Sequence, residues 1–139
     1  MSQLVAFANL HPLMLAALFA SGIAVLFYEL RLRAGGVTHV SAADAVRLIN
    51  KGALVIDVRK PAEFETGHIV NARNVELDKI RQGDESIAKK KDRILLAVCD
   101  NGGLSGKAAS LLRKAGYPNA FSLRGGIGGW RADNLPLVK

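Results

Sequence analysis

A single cysteine, Cys99, is present among 139 residues. An internal disulfide is therefore excluded, as is a metal site built from clustered cysteines. A lone thiol suits a reducing compartment. Histidine is equally scarce. His11, His39 and His68 are scattered with no ligand spacing, so no metal is expected. No Lys or Arg precedes Arg31, and the first 30 residues carry one charge, Glu29. The rest of the chain holds all 19 Lys and Arg against the 11 acids that remain, a net charge of +8. Such a surface is drawn to anionic lipid or acidic partners, or is simply that of a basic soluble domain. The sequence has no internal repeat and no low-complexity tract, and its length suits one domain of ordinary size.

Where charge is missing, a long apolar run stands. Residues 13–28 read L-M-L-A-A-L-F-A-S-G-I-A-V-L-F-Y. As a helix this run is about 24 Å long, against about 30 Å for a bilayer core. It can be extended. Pro12 suits a first helical position, and Leu30 and Leu32 continue the apolar face between arginines that can snorkel. Tyr28 fits the interface belt. A cleaved signal peptide is disfavoured, because residues 1–11 lack Lys and Arg and no small-x-small site follows. A buried core helix is disfavoured by the absence of a polar face. Residues 13–30 are therefore expected to cross a membrane once. Residues 1–12 form a short extracytoplasmic N-terminus, and 31–36 form a linker. Arg31 and Arg33 then place the domain that follows, 37–139, in the cytoplasm.

That domain alternates strand and helix. Residues 38–40 suggest a short strand. Ser41 and Asp44 resemble a capping box with Asp in place of Glu, opening a helix to about Asn50. Ala45, Leu48 and Ile49 face inward, and Lys51-Gly52 ends the helix. Residues 53–58 are a continuous apolar run with Asp57 near its end, as expected of a strand buried on both faces. Residues 61–66 form a short helix ending at Gly67, and 76–82 form another. The run 89–93 is solvated charge. Residues 94–98, I-L-L-A-V, make a second buried strand. A helix follows over 105–115, with Ala108, Leu111, Leu112 and Ala115 on one face and Gly116 at its C-cap. Residues 120–123 make a third core strand. This order predicts a parallel sheet with helices on both faces and a site beyond the carboxyl ends of the strands. Asp57 and Cys99 each fall at such an end.

The stretch V-C-D-N-G-G-L-S-G-K, residues 98–107, runs from strand through a glycine-rich loop into a helix. Helix N-termini leave backbone N–H groups unpaired and carry partial positive charge. Gly102, Gly103 and Gly106 can turn amides inward as a nest. A thiolate or persulfide at Cys99 would be stabilised there. A small buried cysteine at a strand end has the same appearance, and the loop alone leaves both open. Ser105 caps the helix or bonds the sulfur, with capping the stronger expectation. A Walker A loop is excluded: in the frame ending Gly106-Lys107, Asn101 replaces the first glycine and Ala108 the hydroxyl. No cofactor and no nucleic-acid partner is expected.

Residues 57–74, D-V-R-K-P-A-E-F-E-T-G-H-I-V-N-A-R-N, resemble the N-terminal signature of the rhodanese family. Residues 123–130, L-R-G-G-I-G-G-W, resemble its C-terminal signature, L-x-G-G-x-x-x-W. Cys99 lies between them, after a strand. The resemblance covers about residues 38–135. It implies an α/β, three-layer domain with a central parallel sheet. It also implies sulfur transfer through a persulfide on Cys99, held in a six-residue loop over 99–104. The phosphatase branch of the family has a longer loop with an arginine, so phosphatase activity is disfavoured. An N-terminal anchor on a single such domain resembles a class of bacterial inner-membrane proteins. Substrate contacts are expected from Asp100, Asn101, Gly102, Gly103, Leu104, Ser105, Asp57 and Arg59. Arg59 is expected to pair with Glu63 or a neighbouring acid. Gly67 and His68 are expected to shape a turn, and Trp130 with its glycines to pack the domain's end.

One departure bears on activity. Active thiosulfate sulfurtransferases of the family usually place Arg or Lys in this loop, often sixth, where Leu104 stands. No residue over 100–106 is cationic. Asp100 opposes the thiolate and repels thiosulfate, and Lys107 compensates at most in part. The expected function is a membrane-anchored sulfurtransferase with weak thiosulfate activity, taking sulfur from thiosulfate or a protein persulfide. Its rival is a catalytically degenerate, membrane-tethered adaptor that binds a membrane-protein partner.

Overall fold

The computed structural model describes Phe7 and residues 9–35, 39–89 and 91–139, with backbone alone for 31–35. The start of the N-terminus, Gly36 of the linker, Thr38 of the first strand and Lys90 of the charge run lie outside the described residues. The chain divides into two compact units, Met1–Gly36 and Val37–Lys139.

The first unit contains helix α1, Pro12–Gly35. Proline opens it, where the missing N–H costs nothing. The helix has no amphipathic stripe, and Leu13, Phe19, Ile23 and Phe27 are all exposed. The stretch Pro12–Leu30 has a mean hydropathy of 2.0 and is unburied. The helical backbone continues past residue 30, because L-R-L-R-A contains no helix breaker before the glycine pair. Its 24 residues span about 36 Å, enough for a bilayer core of about 30 Å. By length and composition α1 is able to cross a membrane, a description that a signal sequence also meets.

The second unit is a parallel α/β domain. Its strands are β1 (His39–Val40), β2 (Leu54–Asp57), β3 (Arg73–Asn74), β4 (Leu95–Val98) and β5 (Ala120–Leu123). They lie in the order β1-β5-β4-β2-β3, all parallel. Its helices are α2 (Ala42–Asn50), α3 (Pro61–Glu65), α4 (Leu77–Gln82), α5 (Glu85–Ala88), α6 (Gly103–Lys114) and α7 (Gly126–Ala132). Every residue of β2 and β4 is buried, which is why both read as unbroken apolar runs rather than as alternation. Successive side chains enter opposite layers. Leu54, Ile56, Leu95, Ala97 and Cys99 pack with Ala108, Ala109 and Leu112 of α6. Val55, Leu96, Val98 and Leu123 pack with Ala45 of α2 and with Ile127 and Trp130 of α7. Each large aliphatic side chain so buried contributes about 1.5–3 kcal/mol.

Ser41 caps α2 as expected. Its hydroxyl oxygen accepts from the Asp44 amide at 3.1 Å, and its O–H donates to the Asp44 carboxylate at 2.8 Å. The shorter Asp thus meets the hydroxyl rather than the Ser41 backbone. Five features differ from expectation. Helix α6 starts at Gly103, two residues early, because Gly102 supplies the reversal at φ +95°. Ala115 is exposed rather than inward, since it follows the last residue of α6. Strand β3 and helix α5 are too short to leave a periodic signal. Helix α7 is hidden because glycine is a poor helix former.

Candidate active site

Register sets the frame. Asp57 pairs with Val98, so the carboxyl ends of β2 and β4 are level. Cys99 follows β4 directly, is 1% exposed, and lines a cleft of about 380 Å³. Left-handed Gly102 turns the chain so that its N–H donates to Cys99 Sγ at 3.0 Å. The thiol lies 3.4 Å from the Ser105 hydroxyl, which it reaches as donor. Ser105 Oγ donates to the Gly102 carbonyl at 3.1 Å and sits 2.8 Å from Ser122 Oγ. Ser105 is therefore a buried neighbour of the sulfur inside the first turn of α6, not its cap. Asn101 Oδ1 accepts from the Gly103 amide at 3.1 Å and lies 3.9 Å from the sulfur. The glycine nest is reduced accordingly: the Gly103 amide goes to Asn101, and Gly106 lies within α6, bonded to the Gly102 carbonyl.

The loop backbone is clamped from behind. Amides of Ile127 and Gly128, at the start of α7, donate to the carbonyls of Cys99 at 2.8 Å and Asp100 at 3.0 Å. Gly126 has φ +58°, and a Cβ there would strike the Cys99 carbonyl oxygen and lie 2.6 Å from Asp100 backbone atoms. The C-terminal signature therefore does more than pack the domain's end around Trp130. It braces the cysteine loop through close backbone contact. Gly126, Ile127, Gly128 and Ser122 were not singled out for the site from sequence. The adjacent glycines after a core strand were the available signal.

Arg59 and Asp57 are 4% and 1% exposed. The neighbouring acid that Arg59 takes is Asp57, while Glu63 accepts from the Lys60 amide instead. Arg59 Nη2 and Nε donate to the two Asp57 oxygens at 2.7 and 3.0 Å, and the Arg59 amide donates at 3.0 Å. Nη2 also donates to the Gly67 carbonyl at 2.8 Å. Nη1 is left 3.6 Å from Asp100. The hydrogen bond to Asp57 raises the Arg59 pKa above its ordinary value, against the effect of burial. Asn74, another residue not singled out, donates to the Asp57 and Arg59 carbonyls at 3.2 and 2.8 Å. His68 shapes the expected turn, with Nδ1 3.0 Å from the Phe64 carbonyl and its ring stacked on Phe64 at 3.8 Å.

Of the expected site residues, Cys99, Asp100, Asn101, Leu104 and Arg59 line one cleft. Gly102 and Gly103 shape its loop, Ser105 lies beside the sulfur, and Asp57 stands behind Arg59. Lys107 is exposed further along α6 and does not line the cleft. Among the described residues no group of acidic, histidine or cysteine side chains is placed to hold a metal.

Comparison with known proteins agrees with this geometry. The family model for the rhodanese-like domain matches residues 41–133. The chain is 33% identical over 141 residues to YibN of Escherichia coli (strain K12), a protein described as uncharacterized, covering 100% of this chain and 99% of YibN. It is 32% identical over 94 residues to the thiosulfate sulfurtransferase GlpE of Pseudomonas aeruginosa (strain LESB58), covering 68% and 84%. The crystal structure of a rhodanese-related protein from Thermoplasma volcanium matches with a TM-score of 0.64 at 30% identity, over 73% of this chain and 97% of that one. A buried cysteine after the central strand, a glycine-turned loop and a helix, enclosed by the matched region on both sides, make this chain a member of the rhodanese-like domain family.

Proposed function

We propose that this chain is a membrane-anchored sulfur carrier that holds sulfane sulfur as a persulfide on Cys99. The observation that carries this reading is the sulfur's setting. Cys99 lines an open cleft, and its Sγ has the Gly102 N–H at 3.0 Å and the Ser105 hydroxyl at 3.4 Å. Once the thiol is ionised, that hydroxyl can turn and donate, so two donors serve the negative sulfur. The thiolate attacks the outer sulfur of a donor. A new S–S bond forms at Cys99 as the donor's S–S bond breaks. Thiosulfate then leaves as sulfite, and a protein persulfide leaves as a thiolate, with no external oxidant or reductant. Thiosulfate is the weaker donor, because no cation lies over residues 100–106 and Leu104 stands sixth in the loop. The relatives that include a named thiosulfate sulfurtransferase support the reaction class.

Helix α1 is read as the anchor, crossing a bacterial inner membrane once. Arg31 and Arg33 after the span place residues 37–139 in the cytoplasm. Protease added to inverted membrane vesicles should digest the domain, while protease added to spheroplasts should not; the reverse pattern refutes this orientation.

The second reading is the adaptor, favoured by Leu104, which is 48% exposed where a cation would serve thiosulfate. Intact mass of the detergent-solubilised full chain, incubated with thiosulfate and separately with a persulfidated cysteine desulfurase, decides between them. Gain of one sulfur atom on Cys99, lost in Cys99→Ser, supports the carrier. No gain by folded, reduced protein, with partner binding kept in Cys99→Ser, supports the adaptor.

A further inference from the structure

The charge around the mouth of the Cys99 cleft runs against the charge of the molecule. Beyond residue 30 the chain is strongly basic, at +8. The cleft nonetheless gathers four carboxylates, Glu63, Glu76, Asp78 and Asp100, against two cations, Arg59 and Lys60. Arg59 is buried and bound to Asp57, with Asp100 3.6 Å from its remaining nitrogen. Asp78 is 81% exposed and pairs with Arg81. Counting Asp57 and Arg81 leaves the acid excess unchanged. Asp100 is 63% exposed, and Leu104 presents an apolar side chain at the same rim. These acids come from three separate stretches of the chain, converging on the one opening that Cys99 lines.

We infer that the partner exchanging sulfur with Cys99 is a polypeptide that presents its persulfide or thiol within a Lys- and Arg-rich segment. This rests on the sulfur-carrier reading and names the partner class for that site. An excess of carboxylates around a cleft raises the local concentration of cations and repels anions. A dianion such as thiosulfate is penalised, while a basic segment is drawn in and can set an apolar side chain on Leu104. In the exchange, the Cys99 thiolate takes the outer sulfur and the partner's S–S bond breaks, leaving its thiolate among positive charges that favour it. The return step reverses these bonds, so one mouth serves donor and acceptor alike.

The test uses the detergent-solubilised full chain and two synthetic peptides, each with one cysteine persulfide, flanked by lysines in one and by glutamates in the other. The rate at which Cys99 gains sulfur is followed by intact mass. At about 0.02 M salt the lysine peptide should load Cys99 at least about tenfold faster, and at about 0.5 M the two rates should converge. The double variant Glu76→Lys with Asp78→Lys should reverse the ranking and speed thiosulfate. Glu76 makes no side-chain capping bond on α4, and the neutral pair Glu76→Gln with Asp78→Asn should shrink the preference if the reversal variant misfolds. Equal rates for the two peptides at low salt, with Cys99 still loading, overturn the inference and leave sulfur carriage standing. A ranking untouched by the charge variants does the same. If neither peptide loads Cys99, the carrier reading falls and takes this inference with it.

Discussion

The loops that leave β2 and β4 start at the same level of the sheet and are held in opposite ways. After β2, the chain is fastened by charge: the Asp57 carboxylate takes the Arg59 guanidinium, which reaches on to the Gly67 carbonyl. After β4, it is fastened by backbone: amides of α7 hold the carbonyls of Cys99 and Asp100, and glycines allow the approach. The first loop commits Asp57 and most of the Arg59 guanidinium to its own structure. The second is clamped through its main chain, and its sulfur, which takes the Gly102 N–H and reaches the Ser105 hydroxyl, belongs to a residue that lines the cleft. A reactive group gains from being positioned by main-chain bonds that the reaction does not disturb.

Breaking the charged loop should have the largest effect. Arg59→Met leaves the Asp57 carboxylate buried without its counter-ion, and should cost about 3–5 kcal/mol in chemical denaturation. Adding Asp57→Asn should recover part of that loss, since the unpaired charge goes too. A double variant no better than the single would show that packing, not charge, fastens this loop.

Next comes the backbone-held loop. Gly126→Ala puts a Cβ on the Cys99 carbonyl at a positive φ, and should cost about 3 kcal/mol through combined crowding and strain. Sulfur loading should fall with it, because the carbonyl clamp and the sulfur belong to one short loop. An unchanged midpoint would mean that α7 shifts freely and does not brace the site.

Leu104→Arg sharpens the contrast by giving the second loop a charge of its own. The thiosulfate rate should rise about tenfold, about 1.4 kcal/mol in transition-state stabilisation, with little change in stability. No change would mean that the carboxylates at the mouth, not the missing cation, set thiosulfate reactivity.

The smallest effect is expected from Ser105→Ala. It removes a hydroxyl that meets Gly102, Ser122 and the sulfur, and should cost about 1 kcal/mol. Sulfur loading should slow by several-fold while the fold is kept. A loading rate equal to wild type would leave the Gly102 amide as the sulfur's sole effective donor in the loop.

Much of the domain was legible in the sequence for one reason: a doubly covered parallel sheet demands unbroken apolar strands. β2 and β4 announced themselves in this way, and Ser41 announced α2 through its hydroxyl. Asp57 and Cys99 fell at strand ends by chain order alone. What escaped was what depends on approach across the fold. The two-residue β3 has no period. Glycines in α7 look like a loop until their neighbours are known. Arg59's choice of Asp57 over Glu63, and the gathering of Glu63, Glu76, Asp78 and Asp100 around one opening, follow from folding geometry rather than from spacing.

Cys99 is buried and has no companion thiol anywhere in the chain. A sulfur atom placed on it has no internal route of departure, for there is no second cysteine to close a disulfide and expel it. Discharge is then a second-order event, and the lifetime of the loaded form is set by the concentration of the molecule that comes to collect. The protein would behave as a reservoir whose emptying is timed by its surroundings.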